Sequence, residues 1–268
     1  MKHHTTFRVG GPAEYYLRPK KEQVAEVLRL CLTYQKEYLI IGNGSNLLVS
    51  DKGISGVVIE IGKQMDEITV DGTTIYAQAG AMLSKTAHAA LEAGLTGMEF
   101  AAGIPGCVGG AVVMNAGAYG GEMKDILKSV TVLPADGQEK ELTPGELDMS
   151  YRHSSITEEH YMVLGVTIAL EAGSQEQIRA KMEELKEKRV EKQPLEYPSA
   201  GSTFKRQEGY FAGKLIMDAG LRGFQVGGAA VSEKHCGFVI NKEKATASDV
   251  YRQIKEVQQE VYRTFGVK

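Results

Sequence analysis

The chain is short of several things that would mark common kinds of protein. Its three cysteines, Cys31, Cys107 and Cys236, are odd in number, widely spaced and free of any C-x-x-C pattern, which removes a disulfide framework and a cysteine zinc site and leaves buried free thiols. Its six histidines form no H-E-x-x-H, and the adjacent His3 and His4 sit at the start, so no metal is assigned. No uninterrupted apolar stretch approaches the roughly 20 residues that span a bilayer. The opening MKHHTTFRVGG also lacks the apolar heart of a secretory signal, so the expectation is a cytoplasmic protein with no membrane partner. Positive charge is not in excess either. A formal net charge of −3 leaves nothing to neutralise a nucleic-acid backbone, so nucleic acid is excluded and an anionic ligand must be met by local features.

What is present is an ordinary globular composition, 43% hydrophobic and 24% charged over 268 residues, enough to bury a core and to divide into two or three lobes. EQVAEVLRLCLTYQK repeats Val24, Val27, Leu28 and Cys31 on one helical face and runs into EYLIIGNGSNLLVSD, which reads as strand, loop, strand. Strand-like segments follow: GVVIEIG, a hairpin turning at Asp71-Gly72, and a second turning at Asp136-Gly137. SKTAHAALEAGL makes a short helix with Ser84 placed to cap it and Gly94 to stop it. YMVLGVTIALE reads as a buried strand. Ser174 and Gln177 then open a charged helix with Ile178, Met182 and Leu185 inward, ended by Pro194. Beyond a linker near residue 195 lies a compact tail of helix, two strands and a last helix carrying Val250, Ile254, Val257 and Val261.

Two glycine-rich loops carry the functional signal. IIGNGSNLLVSD fails as a Rossmann fingerprint, because Leu47 occupies the third glycine's place and LLVS continues as strand. It still offers Gly42, Asn43, Gly44, Ser45 and Asn46 at a strand end, a run of amides and short polar groups suited to a pyrophosphate. A plain turn is the alternative. AGIPGCVGGAVVMNAGAYGGE, residues 102 to 122, holds seven glycines and one charged residue, Glu122. Tight sheet packing explains its glycines less well than the polar Asn115 beside them; two bare-backbone segments fit one extended diphosphate-linked cofactor.

These loops belong to a longer set of motifs. HTTFRVGGPA, GNGSNLLVSD, AGIPGCVGGAVVMNAGAYG, YRHS at 151 to 154, PSAGSTFKR at 198 to 206 and GGAAVSEKHCGFVIN occur in the order and context of the UDP-N-acetylenolpyruvoylglucosamine reductase family, which the chain resembles over almost its whole length. The resemblance implies an α+β fold. A two-lobed FAD-binding PCMH-type domain of the vanillyl-alcohol-oxidase-like kind is expected over residues 1–194, its lobes at about 1–60 and 61–194, with a substrate-binding domain over 195–268. It implies non-covalent FAD, NADPH as hydride donor, UDP-N-acetylglucosamine enolpyruvate as substrate, and a monomer. The tyrosine-bearing insertion of one family branch has no counterpart here, which places the chain with the shorter branch.

The resemblance assigns Gly42 to Leu47 to the pyrophosphate, and Gly103, Ile104, Pro105, Gly106, Gly109, Gly110, Asn115, Ala116 and Gly117 to the rest of the cofactor. Hydride added to the terminal carbon of the enolpyruvyl group leaves charge that is conjugated into the substrate carboxylate, so a fixed cation and a proton donor are needed. Arg152 in YRHS matches the family arginine, whose planar fork suits a carboxylate. Ser202 matches the donor position, where an activated neighbour must restore its proton. By themselves Arg152 also reads as a surface ion pair and Ser202 as a turn cap. Lys192 and Tyr210 match substrate contacts, with Arg206 and His235 as anion partners. Lys192 reads equally as a solvated helix end, and His235 as a strand histidine whose hydrogen bonds are met. The family's catalytic glutamate follows the final helix, and the sequence TFGVK stops where its strand is expected to begin; the start likewise lacks the family's leading helix. The expectation for a chain ending there is impaired protonation with flavin binding kept. Two other functions remain open at this point: another FAD oxidoreductase or oxidase of the same fold, and an inactive UDP-sugar binding module.

Overall fold

The computed structural model describes residues 1–267. The chain divides into two compact units: Tyr15–Asn43 with Gly56–Arg189, and Met1–Glu14 with Gly44–Ser55 and the residues from Val190 onward.

The larger unit is built on a five-stranded sheet whose order is Lys140–Leu142, Leu127–Leu133, Met162–Ala169, Thr74–Gln78, Ile68–Asp71. Every pairing in it is antiparallel. Met162–Ala169 lies at its centre and is buried along most of its length, as its apolar run predicts. Both hairpins turn at the Asp-Gly pairs, with Gly72 at φ +55° and Gly137 at φ +80°, conformations that glycine adopts without strain. The helix Lys21–Thr33 buries Val24, Leu28 and Cys31. Tyr38–Ile41 pairs in parallel with Val57–Glu60, which makes the expected αβ unit. The helix Gln175–Lys192 turns Ile178, Met182 and Leu185 inward. All three cysteines are free and buried.

Two local expectations are corrected. Ser84 does not cap its helix. The helix Leu83–Glu92 starts after Met82, whose backbone is tied into the short bridge with Cys107, so the start is set by the sheet-like contact and not by a side-chain acceptor. Gly94, at φ +67°, does stop it. The segment LLVS forms no strand, because its only main-chain ties are single ones: the Ser50 carbonyl accepts from Gly11 N at 2.8 Å and Gly53 N at 2.9 Å, without a ladder.

The smaller unit pairs the strands Gln225–Val226, Ala229–Val231 and Val239–Asn241 antiparallel and packs them with Ala212–Asp218 and the amphipathic helix Ala247–Phe265. Val250, Val257 and Val261 are buried, as the helical spacing predicts, and Ile254 packs partly buried beside them. Phe7 and Val9, from the first residues of the chain, join this core with Ala229, Val239 and Val250. Buried Asn241 ties the two ends together, donating from Nδ2 to Phe7 O at 3.1 Å and accepting at Oδ1 from Ala245 N at 2.8 Å.

Asp51 anchors the last helix. Its carboxylate accepts from Ala247 N at 2.7 Å, Ser248 N at 2.8 Å and Ser248 Oγ at 2.6 Å. These are the first-turn donors that a helix leaves unsatisfied. Replacing Asp51 with alanine is expected to destabilise the protein by about 0.5–2 kcal/mol, the usual range for a lost cap. The Ser248 hydroxyl and the two amides hold the Asp51 carboxyl below its ordinary pKa. A carboxylate depressed in the folded state stabilises fully above its unfolded value, about 3.9, and loses that contribution as pH falls through the folded value. Urea melts of wild type and Asp51→Ala should therefore differ at pH 7 and converge under strong acid; a constant difference refutes the assignment.

Candidate functional site

The first glycine loop begins where Tyr38–Ile41 ends and turns irregularly through Gly42–Leu47. Among the described residues, the amides of Gly42 to Asn46 donate to no acceptor, and the side chains of Ser45 and Asn46 have no protein partner. Thr6 donates its N–H to Gly44 O at 3.1 Å, while its own hydroxyl is buried without a partner. Unspent donors, an orphaned hydroxyl and no carboxylate in the loop itself are what the diphosphate of a dinucleotide requires, so these residues fit FAD.

The glycines themselves answer mostly to packing. A Cβ at Gly42 would lie 2.1 Å from Cys107 Sγ, and one at Gly44, where φ is +61°, 2.0 Å from His4 O. At Gly109 it would meet Ala79 Cβ at 2.8 Å, and at Gly117 it would meet Gly121 O at 2.6 Å. Their bare faces are thus filled by protein, and the edge left to a ligand is the peptide edge. Gly110 is exposed, with Cys107 Sγ at 3.6 Å as the nearest contact. The two loops are tied by Asn43 Nδ2, which donates to Pro105 O at 2.9 Å; Gly103 and Pro105 are exposed, and Ile104, Gly106 and Ala116 half-buried.

Asn115 serves the protein rather than offering a free side chain. It is fully buried with φ +40°, donating from Nδ2 to Glu122 Oε2 at 2.8 Å and Ser150 O at 3.0 Å, and accepting at Oδ1 from Lys124 N at 3.0 Å. This network positions Arg152. The guanidinium donates to Asn115 O at 3.4 Å and Gly117 O at 2.9 Å and lies 5.0 Å from the Tyr151 ring centre, on a residue whose own φ is +57°. It has no ion-pair partner among the described residues, so the ion-pair alternative finds no support. An arginine held by neutral carbonyls in strained backbone keeps both its charge and its remaining N–H donors for something else.

In the smaller unit, Ser202 follows Gly201 at φ +81° and is fixed by an isolated bridge to Phe238 and by Thr203 N donating to Gly237 O at 2.8 Å. Its hydroxyl is exposed and has no protein partner, so it caps nothing. Gly237 lies beside it: a Cβ there would stand 3.2 Å from Ser202 Oγ and 2.9 Å from His235 Cε1. The His235 ring accepts at Nδ1 from Gly237 N at 3.1 Å and meets Phe238 edge-on at 5.0 Å. Burial pushes its pKa down, so at neutral pH the ring is uncharged and offers an anion only the N–H at Nε2. Arg206 stacks over the Phe211 ring at 4.6 Å, and Tyr210 is 47% exposed in the same segment. Lys192 is the exposed last residue of its helix. Lys234, whose ammonium donates to Val190 O at 2.6 Å, and Arg189, which lies against Gly103, carry no sequence signal, because each stands among other charged residues.

Among the described residues no group of three His, Cys, Asp or Glu side chains is placed to hold a metal ion, and no helix is long and apolar enough to cross a membrane. Comparison with known proteins gives this geometry a family. Residues 13–143 match the FAD binding domain, and residues 193–268 match the UDP-N-acetylenolpyruvoylglucosamine reductase C-terminal domain. The UDP-N-acetylenolpyruvoylglucosamine reductase of Agathobacter rectalis is 58% identical over an alignment covering all of this chain and 89% of that protein. A protein of the same description from Clostridium perfringens is 54% identical, covering all of this chain and 88% of its own. A crystal structure of UDP-N-acetylenolpyruvylglucosamine reductase from Thermus caldophilus superposes with a TM-score of 0.85 at 38% identity, covering 97% of this chain and 92% of that one. With both parts of the sequence matched by these family models and all of it aligned to relatives of one description, the chain belongs to the UDP-N-acetylenolpyruvoylglucosamine reductase family.

Proposed function

We propose that this chain is the FAD-containing, NADPH-dependent enzyme that reduces the enolpyruvyl ether of UDP-N-acetylglucosamine to UDP-N-acetylmuramate, in the synthesis of peptidoglycan. The observation that carries this is the 58% identity to a named reductase over the whole of the chain. Bound FAD supplies the hydride, taken first from NADPH, that adds to the terminal carbon of the substrate double bond. The chain's residues supply the rest. The free amides of Gly42 to Asn46 hold the cofactor's diphosphate, and the 103–117 loop lines the remainder. Arg152, whose guanidinium makes no direct ion pair among the described residues, binds the substrate carboxylate and stabilises the charge that grows there as the hydride arrives. Ser202 gives the proton that completes the neighbouring carbon, so one hydride and one proton are added across the double bond and the ether linkage is kept. Lys192, Arg206 and Tyr210 meet the substrate's anionic and enolpyruvyl parts, with neutral His235 as a hydrogen-bond donor. Residues 1–194 act as the FAD-binding part and 195–268 as the substrate part, in a monomeric, cytoplasmic enzyme.

Purified protein should be yellow, release its flavin on acid denaturation, bleach with NADPH without oxygen and recover on adding the enolpyruvyl substrate. Light scattering should give the mass of one chain. A colourless protein that FAD does not reconstitute, or a bleached flavin that the substrate leaves reduced, overturns the proposal.

A further inference from the structure

Arg189 is the cation whose position the reaction so far leaves unexplained. It lies near the end of the helix Gln175–Lys192, where neighbouring lysines are paired: Lys181 with Glu184 at 2.9 Å, Lys186 with Glu183 at 2.9 Å, and Lys188 with Glu184. Arg189 has no such partner, making neither hydrogen bond nor ion pair among the described residues. Its side chain instead passes beside Gly103 in the second glycine loop. A Cβ at Gly103 would stand 3.1 Å from Arg189 Cδ, 3.6 Å from Nη1 and 3.9 Å from Nε. Gly103 thus leaves room for the Arg189 side chain beside it while staying exposed itself.

We propose that Arg189 is a cofactor-binding residue, its guanidinium meeting an anionic group of the bound FAD across the Gly103 loop. This rests on the assignment of that loop to FAD. The chemistry of the loops asks for such a group: residues 42–47 and 102–121 contain no lysine or arginine, and Arg152 spends two of its donors on carbonyls of the second loop. A dinucleotide diphosphate carries negative charge at all times, and a reduced isoalloxazine gains it near N1; a nearby cation tunes the ring's electronics. Desolvation is what pulls the Arg189 pKa below its ordinary value, and Tyr119 is the one side chain acting against that; no carboxylate contributes. A guanidinium left partly dehydrated without an anion is costly, and its planar fork suits two acceptors at once, so an incoming anion relieves a standing penalty.

The test uses flavin-free protein made from the holoenzyme, as wild type, Arg189→Met and Arg189→Lys, titrated with FAD and with riboflavin by fluorescence. Methionine keeps an unbranched stem against Gly103 and removes the charge. Arg189→Met should weaken FAD binding about tenfold and flatten its salt dependence, with Arg189→Lys restoring most of the loss. If the anion is the diphosphate, riboflavin binding is unaffected. If it is the reduced ring, the midpoint potential of the bound flavin becomes more negative, by about 30 mV for each tenfold loss of reduced over oxidised affinity in a two-electron couple. Unchanged FAD affinity and potential in Arg189→Met overturn the inference, as does a lowered melting temperature in the flavin-free variant that accounts for the weaker binding. Wild-type protein that binds no FAD overturns instead the reading on which it rests.

Discussion

Ser202→Ala is expected to bleach with NADPH at the wild-type rate and then to be re-oxidised by the enolpyruvyl substrate about 10²–10⁴ times more slowly, the range over which a positioned acid contributes. The separation of the two half-reactions follows from what each needs: the first passes a hydride to the flavin and calls on no proton from this hydroxyl, whereas the second must quench a basic carbon. The variant should also fold normally. Ser202 Oγ is exposed and bonded to nothing in the protein, so its removal strands no buried donor or acceptor, and the bridge to Phe238 and the Thr203–Gly237 bond are main-chain contacts that alanine keeps. Stopped-flow absorbance without oxygen reads both steps, and re-oxidation at the wild-type rate excludes Ser202 as the donor.

A second large effect should come from one methyl group. Gly42→Ala places a Cβ 2.1 Å from Cys107 Sγ, well inside any tolerable contact, between the strand that launches the first loop and the residue that launches the helix Val108–Val113. Overpacking of this kind costs about 1–3 kcal/mol, and here it also pushes apart the two loops that Asn43 and Pro105 hold together. FAD affinity is expected to fall at least about tenfold, since 1.4 kcal/mol of misplaced loop is already one decade. The sulfur is the whole obstacle, because the Cys107 Cβ is 3.8 Å away. Cys107→Ala alone should cost little binding, and the Gly42→Ala/Cys107→Ala pair should recover most of the flavin content lost in Gly42→Ala. A double variant as empty of flavin as the single one would show that Gly42 is needed for something other than room.

How far the sequence discloses this structure depends on how local each cause is. The two hairpins of the sheet were legible because alternation and Asp-Gly turns act over a few residues: those at Gly72 and Gly137 stand where their chemistry puts them. The last helix was legible by spacing, although the aspartate that anchors it, Asp51, lies 196 residues away from Ala247 and leaves no pattern to read. LLVS reads as a strand because apolar runs do, yet its main-chain ties among the described residues are confined to the Ser50 carbonyl and form no ladder. The glycine loops have a divided cause: the amides of Gly42 to Asn46 are unspent, yet Gly42, Gly44 and Gly109 are bare because other parts of the chain press on them. Asn115 and Arg189 were illegible for a similar cause. A polar residue in a glycine loop looks like a ligand contact, and an arginine among lysines and glutamates looks solvated; only packing reveals that one is fully engaged and the other unmatched.

The smaller unit closes on itself with Phe7 in its core and a bond from Asn241 to Phe7 O that spans 234 residues. During synthesis the opening segment leaves the ribosome long before the residues it packs against exist. All residues of the larger unit precede position 190, whereas Phe7 and Val9 find their packing partners only once residues 229 to 250 have been made. For Phe7 and Val9, the order of synthesis and the order of burial therefore run in opposite directions.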